Sequence, residues 1–115
     1  MKKLASIILI FISIISFAQE KQQETKTISF KVSGVCEQCK KRIENAADIK
    51  GVKFAEWDEK TQVMKITYRT DKVSDTQIKQ AILNAGHDVD NEKASEASYK
   101  KLPDCCKYRE LNKSK

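Results

Sequence analysis

Between residues 27 and 90 the hydrophobic pattern switches between a period of two and a period near 3.6, and the order of those switches severely restricts the fold. Thr27 to Val32 alternates cleanly, with Ile28, Phe30 and Val32 on one side and Thr27, Ser29 and Lys31 on the other, the mark of a half-buried strand. Gly34 ends it. From Cys39 to about Asp48, Ile43, Ala46 and Ala47 recur at helical spacing amid Lys, Arg and Glu. After Gly51, Val52 to Trp57 reads as a strand, Asp58-Glu59-Lys60-Thr61 as a turn and Gln62 to Tyr68 as the hairpin partner. Ser74-Asp75-Thr76-Gln77 is a capping-box pattern that opens a second amphipathic helix on Ile78, Ala81, Ile82 and Ala85, and Gly86 stops it. His87 to Asp90 then reads as a short last strand. Glu92 to Leu102 reads as a weaker helix that Pro103 terminates.

Strand, helix, strand, strand, helix, strand is the order of the ferredoxin-like βαββαβ sandwich, an α+β arrangement in which both helices cover one face of an antiparallel four-stranded sheet. The expected organisation is a polar segment over 19–26, one domain over 27–91, and a C-terminal helix and cysteine-containing tail over 92–115. Phe30, Ile43, Ile66 and Ile82 are expected in the core, and Trp57 as a sheet aromatic without chemistry.

Residues 1–18 read differently. Met1-Lys2-Lys3 is a short basic start, Leu4 to Phe17 is apolar apart from Ser6, Ser13 and Ser16, and Ser16-Phe17-Ala18 offers small residues before Gln19. This is the pattern of a secretory signal peptide, and its apolar run falls short of the roughly 20 residues a spanning helix needs. The expectation is export to a bacterial periplasm, cleavage near Gln19 and no stable membrane insertion afterwards. Without Lys2 and Lys3 the net charge of +6 falls to +4, with basic residues interleaved among Asp and Glu and no series of stacking aromatics. Nothing in that pattern meets the tests for a nucleic-acid surface. The short mature chain leaves room for only a modest core and no large catalytic cleft, and a monomer is expected.

Four cysteines in an exported chain would ordinarily suggest a disulfide framework. The spacing argues otherwise. A bond from Cys36 to Cys39 closes almost no loop and so removes little unfolded-chain entropy, and adjacent Cys105 and Cys106 can bridge each other only with a strained backbone. Cys36-Glu37-Gln38-Cys39 instead places two sulfurs within reach of one soft metal ion or of each other. Cys36 lies in the loop and Cys39 in the first helical turn, where unpaired N–H groups and the positive end of the helix dipole favour thiolate, with Lys40, Lys41 and Arg42 adding positive charge. Two thiolates suit Cu(I) or Hg(II) but leave Zn(II) two ligands short of a tetrahedron.

Gly34-Val35-Cys36-Glu37-Gln38-Cys39, with Ile43-Glu44, Gly51-Val52, Ala81-Ile82 and Gly86-His87-Asp88-Val89 behind it, resembles the heavy-metal-associated domain, and the likeness runs from about Thr25 to Asp90. That family includes copper chaperones, metal-binding modules of metal-transporting ATPases and a periplasmic mercury-binding protein. The resemblance implies Cys36 and Cys39 as metal ligands and a transporting or efflux partner that offers acceptor thiols. This chain departs from the family in one respect, because only Val35 separates Gly34 from Cys36 where two residues are usual.

Three further residues are candidates. His87, the only histidine, begins the last expected strand at the sheet end that carries the Cys36 loop, so it is a candidate ligand or a donor behind the ligands. A helix over 92–102 rises about 1.5 Å per residue, enough to climb back along a short strand, so Cys105 and Cys106 are candidates to close over the loop and to admit Zn(II). The opposite expectation is a flexible tail with incidental thiols. Taken together, the residues point to a non-enzymatic periplasmic carrier or scavenger of a soft metal ion. A thiol-disulfide oxidoreductase is the competing class, but the order of elements is not thioredoxin-like. Pro103, the only proline, does not precede a core strand, where the proline beside such redox pairs commonly sits.

Overall fold

The computed structural model describes residues 24–113. The signal peptide expected over 1–18 and most of the segment 19–26 lie outside the described residues. Three strands, β1 (Thr25–Lys31), β2 (Val52–Trp57) and β3 (Val63–Arg69), form an antiparallel sheet in the order β1-β3-β2. The register pairs Ile28 with Ile66 and Phe30 with Met64 across β1 and β3, and Ala55 with Ile66 and Trp57 with Met64 across β2 and β3. One sheet face is therefore apolar. A register shift between Val52 and Phe54 kinks β2 and leaves Phe54 exposed on the surface.

Helices α1 (Glu37–Ala47) and α2 (Asp75–Asn84) cover that face. Ile43 and Ala47 of α1 and Ile78 and Ile82 of α2 enter one buried cluster with Phe30, Met64 and Ile66 of the sheet. Each fully buried isoleucine contributes about 1.5–3 kcal/mol relative to exposure, so this cluster is the main source of stability. The capping box of α2 forms as the sequence implies: the Ser74 hydroxyl accepts from Gln77 N–H at 3.1 Å, and the Gln77 side chain accepts from Ser74 N–H at 2.9 Å. Gly86 follows with φ of 103°, a left-handed conformation, and a Cβ there would lie 2.7 Å from the Ser98 carbonyl oxygen.

The expected fourth strand shrinks to a single antiparallel bridge between Val32 and Val89. The cause is Asp90, whose φ of 49° turns the chain into a tight Asp90-Asn91 reversal that bridges Val89 back to Glu92. Asp90 then replaces the lost ladder partner with its own side chain, accepting from Lys31 N–H at 3.0 Å while its backbone N–H donates to the Lys31 carbonyl at 2.9 Å. Among the described residues the sheet is therefore three-stranded with a vestigial fourth edge, and its place beside β1 is the one the sandwich topology requires.

The C-terminal part also departs from expectation. The helix expected over 92–102 is cut to α3 (Glu96–Lys100), because Ser95 caps it and the stretch before it is spent on the reversal and on Ala94, whose N–H donates to the Asp88 carboxylate at 2.8 Å. After Pro103 the chain makes a 3₁₀ turn at Asp104–Cys106 and then α4 (Tyr108–Lys113). Of the two alternatives for the tail, a segment closing over the loop or a flexible end, the described residues form folded structure packed on the domain. Among the described residues no helix is long and apolar enough to cross a membrane.

Replacing Ser74 with Ala removes one side of the capping box and is expected to lower the unfolding free energy by about 0.5–2 kcal/mol. Urea denaturation measures this, and an unchanged midpoint would show that the box adds nothing.

Candidate metal centre

The thiol loop is held from beneath by Trp57. Its indole N–H donates to the Val32 carbonyl at 3.0 Å, and its ring lies so close under Gly34 that a Cβ there would meet it at 2.9 Å and the Cys39 Cβ at 3.1 Å. Glycine is needed at this position for close approach. Gln62 adds a side-chain N–H to the Gly34 carbonyl at 2.8 Å. Trp57, to which the sequence alone assigned no role, is the wall of the site. Its place at the end of β2 is the one the strand pattern gives, but the approach of its ring to Gly34, distant in the chain, is invisible in the periodicity.

Cys36 is the N-cap residue of α1: its sulfur accepts from the Cys39 N–H at 3.4 Å and its carbonyl from the Lys40 N–H at 3.1 Å. The helix therefore begins at Glu37, two residues earlier than periodicity indicates, and Cys39 points inward from its first turn. The two sulfurs are 3.2 Å apart. Cys106 approaches from the 3₁₀ turn, 3.6 Å from the Cys36 sulfur, and all three sulfurs lie within 4.8 Å of one another. All four cysteines are free thiols, Cys39 and Cys106 fully buried and Cys36 partly open.

These burials and contacts divide the thiols electrostatically. Partial burial works against the Cys36 thiolate, but hydrogen bonds from the Cys39 thiol and N–H and from the Cys106 and Cys105 thiols outweigh it and hold Cys36 below the ordinary thiol range. Burial pushes Cys39 up, although Cys106 and the Val35 backbone oppose it. Burial also drives Cys106 far up, reinforced by its position as donor to Cys39 and Cys36. One accessible, more readily ionised thiol is thus backed by two buried ones. The flanking cations contribute less than the sequence suggests, because Lys40 is bound to Glu44 at 2.6 Å and to the Trp57 carbonyl at 2.9 Å, and Arg42 donates to the Ala85 carbonyl at 3.2 Å.

The other candidates stand outside the trio. Cys105 is exposed and donates to the Gln38 side-chain oxygen at 2.8 Å, with its sulfur 3.9 Å from that of Cys106. His87 is fully buried, its Nδ1–H donating to the Ser33 carbonyl at 2.8 Å, which braces the loop rather than supplying a sulfur-like ligand. Burial and the charge of Arg42 keep its ring neutral, against the opposing pull of the Ser33 carbonyl and Asp88. Its Nε2 has no hydrogen-bond partner among the described residues.

What brings Cys106 back is a set of anchors that the sequence reading missed. The Tyr108 hydroxyl donates to the Gly86 carbonyl at 2.8 Å and accepts from the Asp88 N–H at 3.0 Å, and its ring stacks on His87 with centroids 5.8 Å apart. Arg109 donates to the Asp88 carboxylate and to the Ala94 carbonyl, each at 2.8 Å, and lies over the Tyr99 ring at 4.3 Å. Tyr99 in turn donates to Glu110. The only signal in the sequence was an aromatic-basic pair after the cysteines, which has no periodicity.

A heavy-metal-associated domain model matches residues 29–88. The chain belongs to the heavy-metal-associated domain family. Among solved structures, a CopZ metallochaperone is 32% identical with a TM-score of 0.54, and the match covers 56% of this chain and 98% of that one. A copper form of a CopA variant from Bacillus subtilis is 28% identical with a TM-score of 0.51, covering 59% and 92%. Oxidised MerP from Ralstonia metallidurans CH34, at 24% identity and a TM-score of 0.54 over 57% and 94%, shares the fold. No curated protein matches the chain. Family members of this kind are matched nearly end to end, so Cys105, Cys106 and the anchors around Tyr108 lie beyond the shared domain.

The Asp88–Arg109 pair gives a pH signature. Burial opposes the Asp88 carboxylate, but Arg109, the Ala94 N–H and Tyr108 prevail and hold it below the usual carboxylate range. A folded value below the unfolded one, about 3.9, means that the contribution is complete above roughly pH 4 and is lost as pH falls through the folded value. Asp88→Asn is expected to cost about 1–3 kcal/mol at neutral pH, the scale of a charged hydrogen bond, and progressively less below about pH 4. Denaturation at a series of pH values tests this, and a deficit independent of pH would refute it.

Proposed function

We propose that this chain carries a soft metal ion, Cu(I) or Hg(II), on Cys36 and Cys39 in the periplasm and passes it by thiolate exchange to the acceptor thiols of a metal-transporting or efflux partner. The observation that carries this reading is the pair of sulfurs 3.2 Å apart at the N-terminus of α1, one partly open with a depressed pKa and one buried, within a heavy-metal-associated domain. Soft thiolate donors select soft ions, and the likeness to a CopZ metallochaperone and to a copper form of CopA supports copper among them.

The unequal exposure of the two sulfurs implies an order of events. Cys36, the more accessible and more readily ionised, makes the first bond to an arriving ion, and Cys39 closes the pair as its thiol proton leaves to solvent. On release a partner thiolate attacks the ion at the open side and displaces Cys36 first. Zn(II) is less well served, because a tetrahedral site needs a fourth ligand and the exposed Cys105 thiol is engaged by Gln38.

Protein prepared anaerobically under reducing conditions is expected to retain one equivalent of Cu(I) or Hg(II), and Cys36→Ser or Cys39→Ser to lose at least most of it, as read by metal mass spectrometry. Insulin reduction by protein that retains no metal would overturn the carrier reading in favour of a thiol-disulfide oxidoreductase. For the proposed compartment, osmotic-shock fractions are expected to contain a chain that starts near Gln19. Recovery of the chain only in the cytoplasm, with Met1 intact, would refute export.

A further inference from the structure

The family match ends at residue 88, yet the chain folds on through α4 and returns a thiol to the loop. We propose that Cys106 is a third thiolate ligand, supplied by the C-terminal segment, and that with Cys36 and Cys39 it forms a three-sulfur site for one soft divalent cation. This rests on the reading of the Cys36 loop as a metal site.

Sulfur separations favour three ligands over two. With metal–sulfur bonds of about 2.3 Å, three sulfurs in a plane around an ion stand ~4.0 Å apart, whereas two opposed sulfurs stand ~4.6 Å apart. Cys36 lies 3.2 Å from Cys39 and 3.6 Å from Cys106, and all three are within 4.8 Å. Trigonal binding therefore asks each measured pair to open by less than an ångström, about 0.8 Å and 0.4 Å. Linear binding by Cys36 and Cys39 alone asks for about 1.4 Å, against a loop wedged between Trp57 and the start of α1.

The third sulfur is held in place by groups that also tie the C-terminal segment to the domain. Tyr108 and Arg109, one intervening residue beyond Cys106, grip Gly86, Asp88 and Ala94, and the stacking of Tyr108 on His87 connects that grip to the Ser33 carbonyl beside the loop. These are positioning residues. The 3₁₀ turn buries Cys106 against the two sulfurs and leaves Cys105 exposed at the rim, its thiol on Gln38 and its sulfur 3.9 Å from that of Cys106. A packing role for Cys106 would ask only for a small apolar side chain and would not require its sulfur to face two others.

Charge then selects the ion. Three thiolates leave a net charge of −1 around a divalent ion and −2 around Cu(I), and uncompensated charge is costly where two of the three sulfurs are fully buried. Zn(II) lacks its fourth donor. The soft, three-coordinate divalent class, of which Hg(II) is the probe, fits best.

The test is X-ray absorption at the mercury edge on the reduced full chain with one equivalent of Hg(II), with ultracentrifugation to confirm one chain per ion. Three sulfurs are expected for the unaltered chain and for Cys105→Ser, and two for Cys106→Ser. Competition with a small dithiol should show Cys106→Ser weaker by at least the roughly tenfold that loss of a group merely hydrogen-bonded to a ligand costs. Two sulfurs in the unaltered chain would overturn the inference without any variant having to fold, and would leave the carrier reading intact. Three sulfurs persisting in Cys106→Ser would overturn it as well. Failure of the unaltered chain to retain Hg(II) or Cu(I) would instead remove the carrier reading itself.

Discussion

A single buried hydroxyl, that of Tyr108, joins the C-terminal segment to the domain. It sits between the Gly86 carbonyl and the Asp88 N–H, the two backbone groups freed where α2 has ended and the vestigial fourth strand has not yet paired. Either group left buried without a partner would cost about 1–3 kcal/mol, so the hydroxyl is as much required by the strand as the strand is by it. Its ring lies on His87, His87 braces Ser33, and two residues before Tyr108 the chain places Cys106 against Cys36. The position of the third sulfur follows from this chain of contacts.

The thiol cluster is graded by its surroundings. Cys36, at a helix N-terminus and receiving hydrogen bonds from its neighbours, ionises most readily of the three, and burial makes Cys39 and Cys106 more reluctant to lose their protons. A soft cation is a natural replacement, since it turns a mutually repulsive set of anions into a coordinated one. The same burial that makes the empty set reluctant to ionise makes the loaded set slow to let water compete for the ion.

Much of the fold was legible because it is written in local periodicity. The alternation at Thr27–Val32, the hairpin around Asp58 and the capping box at Ser74 each encode their own geometry within a few residues, and each appears where the pattern places it. The fourth strand failed for an equally local reason, the left-handed Asp90, but one that an Asp-Asn pair only hints at. Trp57 is the buried sheet aromatic that its pattern indicates, and that pattern is the same whether or not the ring also lies beneath the thiol loop.

By itself the sequence determined the order of elements, the family and the placement of Cys36 and Cys39 at a helix N-terminus, because hydrophobic period, caps and short motifs act over one or two turns of chain. Only the tertiary structure decided that Cys106 is buried against the two loop sulfurs while Cys105 stays exposed on Gln38, and that His87 spends its N–H on Ser33. Those outcomes depend on contacts such as Cys36 with Cys106 and Asp88 with Arg109, made between residues far apart in the chain. No local pattern reports them. They exist because a buried tyrosine hydroxyl and a half-buried ion pair each admit few partners, and the folded backbone supplies them at one place.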